Sequence, residues 1–481
     1  MEPMHIVFMN PQGNFDPKDS YLTEHPDFGG QLVYVKELAQ AMSKRGHKID
    51  IVTRRIRDAS WPEFSTDQDS YPGFEENLRI LRFSFGGNNF LNKEELWPHI
   101  PDLVDKMLQF YGENQPDFIT SHYADGGYAA KIASESAGIP FSFTGHSLGA
   151  QKLDKLAITN KNWLSLNEKF KFSKRIAAER ISMKYAAKVF VSTEQERDDQ
   201  YRHPLYQGAI DTGDDQKFEV IPPGVNETVF NQKASVIDIQ QTSKLDAISG
   251  LSEKPVILVS SRLDKKKNID GLVQAYSKSR ALRNAASLVL CIRGIDDPKR
   301  DIVNLANEEK KVLGSIIDII DSSEMNKQVY FLNISSQRAL AATYRYFARR
   351  GSVFALTSLY EPFGLAPIEA AATGLVPVVT KNGGPADIFS DGSGILVDPI
   401  CPNSIANGLM EGIDRHSELS GAAAKRVNEK FLWSNTAESY LSTINKIVST
   451  HKKSPSLKES ISDFDEEIKT YLRKNFALIS H

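Results

Sequence analysis

The sequence predicts an α/β protein made of two Rossmann-like, doubly wound domains facing each other across a cleft. Short β-branched runs alternate with longer helical patterns, as parallel strands with helical crossovers do. The alternation breaks once, at a Pro-Pro-Gly near the middle, and 481 residues exceed what one hydrophobic core usually serves. The first series runs HIVFM, a helix near Val33 to Arg45, KIDIVT, LRILRF, a helix over Asp102 to Tyr111, DFITS, PFSFTG and KVFVS, and ends near FEVIPPGVN, residues 218 to 226. Two prolines and a glycine after a strand set the hinge at Pro222 to Val225. The second series starts at Val256: VILVSS, LVLCIRG, VYFLN, SVFALTS, VPVVT and ILVDP. The expected domains are therefore 1–225 and 226–452, the last helix of the second (about 434–450) being free to cross back to the first. The polar segment Asn231 to Glu253 is read as a short helix and a loop. Residues 453–481 form a Lys/Ser-rich linker and a helical tail over Asp463 to Phe476, better read as a docked terminal helix than as a partner-binding peptide.

Composition narrows the class. Hydrophobic residues at 41% and charged residues at 25% are ordinary for a globular chain, and 58 basic against 61 acidic residues leave a formal charge of -3, which argues against nucleic acid as a partner. Cys291 and Cys401 have neither metal-ligand spacing nor a disulfide pattern, as expected of a reducing, cytoplasmic setting. The apolar run Ile6 to Met9 is too short for a signal peptide, and no stretch approaches the roughly 20 apolar residues of a spanning helix, so no membrane association is expected.

The most informative stretch is EPFGLAPIEA, residues 361 to 370. Pro362 and Gly364 keep Glu361 out of a helix, whereas Pro367 suits a first turn and Ala370 to Ala372 are strong helix formers, so Glu361 belongs to a loop and Glu369 to a helix. The amides of Phe363, Gly364 and Leu365 then lie at a helix start, where unpaired donors and the helix dipole favour an anion such as a phosphate. The bland alternative is a loop glutamate and a surface-helix glutamate that happen to be eight apart.

Other segments bear on that choice. In SSRLDKKKN, Arg262 follows an apolar strand and Lys267 comes five residues later, so both cations can reach a diphosphate at a strand's carboxyl end; a solvated basic run is the competing reading. After the first strand, Gly29 and Gly30 end a polar loop and Gln31 opens a helix, allowing backbone amides close to a phosphate or sugar, although the G-x-G-x-x-G fingerprint is absent and a tight structural turn would look the same. His146, in FTGHSLGAQK, ends a strand beside Gly145 and suits substrate contact better than core packing. Lys152 follows, and FKFSKRIAAER adds Lys174, Arg175 and Arg180. Arg175 and Glu179 are spaced to pair on a helix surface, or Arg175 and Lys152 converge on a second phosphate.

Together GGQ, GHSLG, SRLDKKKN, EPFGLAPIE and NGGPADI resemble the retaining glycosyltransferases of the GT-B fold and, through GHSLGAQK with KRIAAER, the sucrose-phosphate synthase group, over about residues 4 to 450. The resemblance implies that Arg262 and Lys267 bind the diphosphate of a nucleoside-diphosphate sugar, Glu369 its ribose, and Glu361 the hydroxyls of the donor sugar, with support from Phe363, Gly364 and Leu365. It also implies that Gly30 and Gln31 contribute from the first domain and that His146 contacts the donor glucose near the reacting carbon, so that His146, Glu361, Arg262 and Lys267 form the catalytic set. Lys152 and Arg175, with Lys93 of FLNKEELWP as a third contact, would bind the phosphate of fructose 6-phosphate. The departing diphosphate gathers negative charge that two cations and helix-start amides stabilise increasingly, so neither a metal nor a cofactor is required. No DxD-like metal motif stands in a convincing place; Asp297 is read as a turn residue.

The expected activity is synthesis of sucrose 6-phosphate from a nucleoside-diphosphate glucose, UDP-glucose by default with ADP or GDP open, and fructose 6-phosphate. The acceptor hydroxyl would attack from the face the nucleotide leaves, its proton passing to the departing phosphate, with domain closure excluding water. Rival readings are a sucrose synthase acting on unphosphorylated fructose, a mannosylfructose-phosphate synthase using GDP-mannose, a sugar-binding protein without catalysis, and a pyridoxal-phosphate phosphorylase. The chain lacks the N-terminal extension of sucrose synthases and the phosphatase-like domain of many plant relatives, and so resembles a minimal bacterial-type enzyme.

Overall fold

A computed structural model describes the whole chain except Met1, Gly13, residues 21–29, Ala157, Asn160, Ser252, Ser335 and residues 452–460, 462–463 and 477–481. The chain divides into two compact units, Met1–Ile221 with Thr436–His481, and Pro222–Asn435. The break thus falls just before the Pro-Pro-Gly, and the helix Trp433–Thr450 joins the first unit from Thr436 onward.

The first unit is built on an eight-stranded sheet: β1 (His5–Met9), β2 (Lys48–Arg54), β3 (Gln68–Asp69), β4 (Leu78–Phe83), β5 (Phe118–His122), β6 (Phe141–Thr144), β7 (Lys188–Val191) and β8 (Phe218–Val220). Their order is β3-β4-β2-β1-β5-β6-β7-β8, parallel throughout except for the antiparallel β3–β4 edge. The seven longer strands are those the β-branched runs predict; β3, two residues long, escapes any periodicity argument. Chain order reverses between β1 and β5, which pair in parallel (Ile6 opposite Phe118), so the topological switch point lies at their carboxyl ends.

The second unit carries a six-stranded parallel sheet of β9 (Val256–Ser260), β10 (Ser287–Cys291), β11 (Val329–Leu332), β12 (Val353–Leu356), β13 (Val376–Thr380) and β14 (Ile395–Val397), ordered β11-β10-β9-β12-β13-β14. Helices cover both faces, which explains why these strands read as continuous apolar runs. In β9, Ile257 and Val259 belong to the core on one face and Val256 and Leu258 to the core on the other. The switch point here lies between β9 and β12. The polar stretch before β9 forms the helix Val236–Asp246, whose Asp238 takes a bidentate ion pair from buried Arg345 (2.8 and 2.7 Å). Among the described residues, no helix is long and apolar enough to cross a membrane.

Candidate functional site

In the second unit, the predicted donor residues gather at the carboxyl ends of the two strands flanking the switch point. Arg262 and Lys267 follow β9 and Glu361 follows β12. The loop after β9 is shaped by Asp264, whose carboxylate accepts the Lys266 amide (2.9 Å), and by Asn268, a non-glycine residue at φ 52. The Asn268 side chain donates to the carbonyls of Thr357 (3.0 Å) and Pro399 (2.8 Å), tying this loop to those after β12 and β14. Lys267 Nζ lies 2.6 Å from Glu361 Oε2, which also accepts from Ser358 Oγ at 3.3 Å. Glu361 Oε1 takes no hydrogen bond among the described residues and is left for a ligand hydroxyl. The Arg262 side chain is exposed and likewise makes no ion pair among them.

The reason for NGGPADI becomes physical here. Glu361 and Gly383 form an isolated parallel bridge, with the Gly384 amide donating to the Glu361 carbonyl at 2.9 Å. A Cβ on Gly383, which sits at φ 98, would stand 2.0 Å from that carbonyl oxygen, and one on Gly384 would stand 2.6 Å from Phe363 Cα. The two glycines let the backbone of the Glu361 loop lie directly against them. Gly364, at φ 100, caps the helix Leu365–Ala372, and the amides of Phe363, Gly364 and Leu365 have no protein acceptor among the described residues. Glu369 lies inside that helix, half-buried. A loop carboxylate, two cations and three open amides at a helix start can hold a sugar joined to a diphosphate.

In the first unit, His146 follows β6 with φ 56, and Tyr123 follows β5 with φ 66, two non-glycine residues in the left-handed region beside a switch point. His146 Nε2 is 2.9 Å from Nδ1 of His122, the buried last residue of β5. Burial pushes His146 down to about 3 and His122 well below its ordinary value, the neighbouring ring adding to the latter. Both imidazoles are therefore neutral at physiological pH and share one proton-bearing contact. His146 Nδ1 has no protein partner among the described residues and can serve a sugar hydroxyl, not an anion's charge. The ring is boxed by Tyr34, edge-on at 5.0 Å between centroids, whose hydroxyl bonds Tyr440 of the helix Trp433–Thr450 (2.7 Å).

Gln31 opens the helix Gly30–Ser43 and donates to Asn10 Oδ1 (3.1 Å), leaving buried Asn10 Nδ2 without a partner. A Cβ on Gly30 would meet nothing within 4 Å among the described residues, and its φ is not in the left-handed region. Gly29 lies outside the described residues.

Two of the three predicted phosphate-binding residues line a solvent-open pocket in the same unit, together with Gln12, Glu94, Trp97, Tyr123, Ala124, Asp125 and Phe170. Lys93 and Arg175 are brought together. Lys152 is not among the lining residues: its ammonium sits 4.2 Å from the ring centroid of Phe170, which is one. The Arg175–Glu179 pair is buried rather than on the surface. Arg175 Nε bonds Glu179 (2.9 Å) and Nη2 bonds the Ser147 carbonyl (2.5 Å), while Nη1 has no acceptor among the described residues. Glu179 also accepts the Gly149 amide (2.9 Å) and the Tyr206 hydroxyl, which fixes the start of the helix Gly149–Lys155 that carries Lys152. Lys174 remains exposed.

Sequence reasoning missed Asp125. It is 4% exposed on the pocket wall in the helix Tyr123–Ala137, with Oδ1 accepting from Gln12 Nε2 (3.3 Å) and Oδ2 left without a hydrogen bond. Burial pushes its carboxyl up to about 6, against the opposing pull of backbone amides, Lys93 and Arg175. The available signal was position: NPQG directly follows β1 and YAD directly follows β5, the two strands of the switch point.

The family described as glycosyl transferases group 1 matches residues 241–426, and glycosyltransferase family 4 matches residues 28–229. The chain is a glycosyltransferase of the GT-B fold, with two Rossmann-like domains. A probable sucrose-phosphate synthase of Thermosipho melanesiensis is 44% identical, over 92% of this chain and 97% of its own length. Sucrose-phosphate synthase 1 of Arabidopsis thaliana is 31% identical over 93% of this chain, which spans about half (48%) of the plant protein. The solved sucrose-phosphate synthase of Thermosynechococcus elongatus superposes with a TM-score of 0.69 at 22% identity, covering 93% of this chain and 99% of that one. This chain belongs to the sucrose-phosphate synthase family.

Proposed function

We propose that this glycosyltransferase makes sucrose 6-phosphate from a nucleoside-diphosphate glucose, UDP-glucose by default, and fructose 6-phosphate, with retention at the transferred carbon. The observation that carries the reading is the pocket of the first unit, where Lys93 and Arg175 stand with Gln12 and Asp125. Two cations suit a phosphate, and the amide and carboxyl suit sugar hydroxyls. Asp125 near Lys93 and Arg175 is compatible with an anionic ligand, because its raised pKa lets the carboxyl bind a proton and donate to it.

At the donor end, Arg262, Lys267 and the amides of Phe363, Gly364 and Leu365 would stabilise the charge that builds on the leaving diphosphate. Lys267 keeps two N–H donors beyond its bond to Glu361, so the pair need not separate when the donor binds. Glu361 Oε1 and neutral His146 would hold hydroxyls of the transferred glucose, Glu369 the ribose, and Gly30 and Gln31 would assist. Neither glutamate acts as a nucleophile in this reading; the acceptor hydroxyl attacks from the leaving-group face and its proton goes to the departing phosphate. The charge is met by side chains and amides, so we expect turnover to persist in a chelator, without cofactor, in a cytoplasmic setting.

Release of nucleoside diphosphate, measured with UDP-, ADP- and GDP-glucose and GDP-mannose, each against fructose and fructose 6-phosphate, tests the proposal. UDP-glucose with fructose 6-phosphate is expected to dominate. Equal transfer to unphosphorylated fructose, or none to fructose 6-phosphate, would sink it.

A further inference from the structure

The helix Asp465–Phe476 near the end of the chain is the segment to which no motif assigns work. It is docked: Ile468 and Leu472 are 0% and 1% exposed and belong to the same core as Trp163 and Phe172. Its polar contacts converge on one corner. Asp465 Oδ1 accepts from Trp163 Nε1 (2.9 Å), Asn167 Nδ2 (3.2 Å) and Ser173 Oγ (3.0 Å), and Asn167 in turn accepts the Ser173 amide (2.9 Å). Those donors straddle the junction between the helices Trp163–Phe170 and Phe172–Tyr185. The single joining residue, Lys171, is held at φ 51, a left-handed conformation unfavourable for a non-glycine residue.

The corner matters because of what flanks it. Phe170, just before Lys171, and Arg175, on the first turn after it, both line the pocket. Lys152 stands over the Phe170 ring. Further along the tail, the Tyr471 hydroxyl donates to the Asp154 carboxylate (2.9 Å), on the helix that carries Lys152. The two helices that bear the predicted phosphate ligands Lys152 and Arg175, and the helix that ends in Phe170, are thus tied to this one helix.

We propose that this helix braces the acceptor pocket, with Asp465 a positioning residue that holds the strained Lys171 corner so that Phe170 and Arg175 keep the geometry a sugar phosphate needs. The proposal rests on reading the pocket as the fructose 6-phosphate site. In the full-length chain, Asp465→Ala is expected to raise the KM for fructose 6-phosphate about tenfold, leaving the KM for UDP-glucose and its hydrolysis without acceptor within about twofold. Asp465→Asn should recover most of the loss, since an amide oxygen can still accept from Trp163 and Ser173. Tyr471→Phe, which leaves the apolar docking intact, should raise the acceptor KM a few-fold, and it serves if Asp465→Ala is not recovered folded. An unchanged acceptor KM, or donor and acceptor constants moving together, overturns the brace. Amide hydrogen exchange supplies the arm independent of substrate: residues 163–180 should exchange faster in Asp465→Ala while the second unit does not change. If the wild type ignores fructose 6-phosphate, the reading of the pocket falls, and the exchange pattern alone then upholds or overturns the brace.

Discussion

Replacing Asp125 by asparagine separates what the carboxyl costs the fold from what it does for a ligand. Burial raises the pKa to about 6 from an ordinary 3.8. The folded protein therefore holds a proton that the unfolded chain releases, and wild-type stability falls as pH rises through roughly 4 to 6, then levels. Two pKa units at about 1.4 kcal/mol each give about 3 kcal/mol at pH 7. Asparagine does not titrate, so the variant's advantage should grow by about 3 kcal/mol between pH 4 and pH 7. An offset acts at every pH: its amide would stand where Oδ2 now has no hydrogen bond, and an unpaired buried donor costs about 1–3 kcal/mol. The signature is hence the pH dependence of the difference, not its sign at one pH. Trp61, Trp97 and Trp163 lie in the first unit and Trp433 in the second, so urea unfolding followed by tryptophan fluorescence reports mainly on the unit that matters. Parallel stability curves for the two proteins from pH 4 to 7 would refute the argument from burial. Asp125→Asn should also lose turnover with fructose 6-phosphate; wild-type kinetics in a stabilised variant would remove Asp125 from the site.

Four further changes address the other groups. Lys93→Ala should raise the KM for fructose 6-phosphate on the order of tenfold, the worth of one charge-assisted hydrogen bond, and leave any slow transfer to fructose unchanged in the same coupled assay. Gly383→Ala puts a Cβ against the Glu361 carbonyl at a positive φ, so a lower melting temperature together with weakened UDP-glucose binding by calorimetry is expected, and wild-type values in both would show that the loop bridge is dispensable. Glu369→Ala should weaken donor binding most and Glu361→Ala should lower turnover most, which steady-state kinetics of the two variants will separate.

The parallel strands of the second unit were readable because burial on both faces leaves almost no polar residue to interrupt them, those of the first from their short β-branched runs, and the Pro-Pro-Gly marked the break because no strand continues through it. Edge strand β3 was not, since two residues carry no period. The donor-side residues were legible for a topological reason: Arg262, Lys267 and Glu361 each follow a strand that flanks the switch point, so sequence position alone predicts proximity. Asp125 also follows a switch-point strand, but its contact with Gln12 and that of His122 with His146 depend on how side chains from separate segments meet, which spacing along the chain does not encode.

Arg175 shows most clearly why a residue can be flagged and its role still left open. Four-residue spacing to Glu179 and a place among cations supported two exclusive readings, a surface ion pair or a phosphate ligand. The fold makes them compatible. A buried carboxylate fixes Nε and a carbonyl fixes Nη2, so the planar guanidinium of this pocket-lining residue has its orientation already set. Removing the arginine would strand Glu179 in the core and cost several kcal/mol of stability, so a loss of activity in Arg175→Ala would say little about the ligand. Lys93, half-exposed on the same wall, is the position at which a charge can be removed without stranding Glu179 in the core.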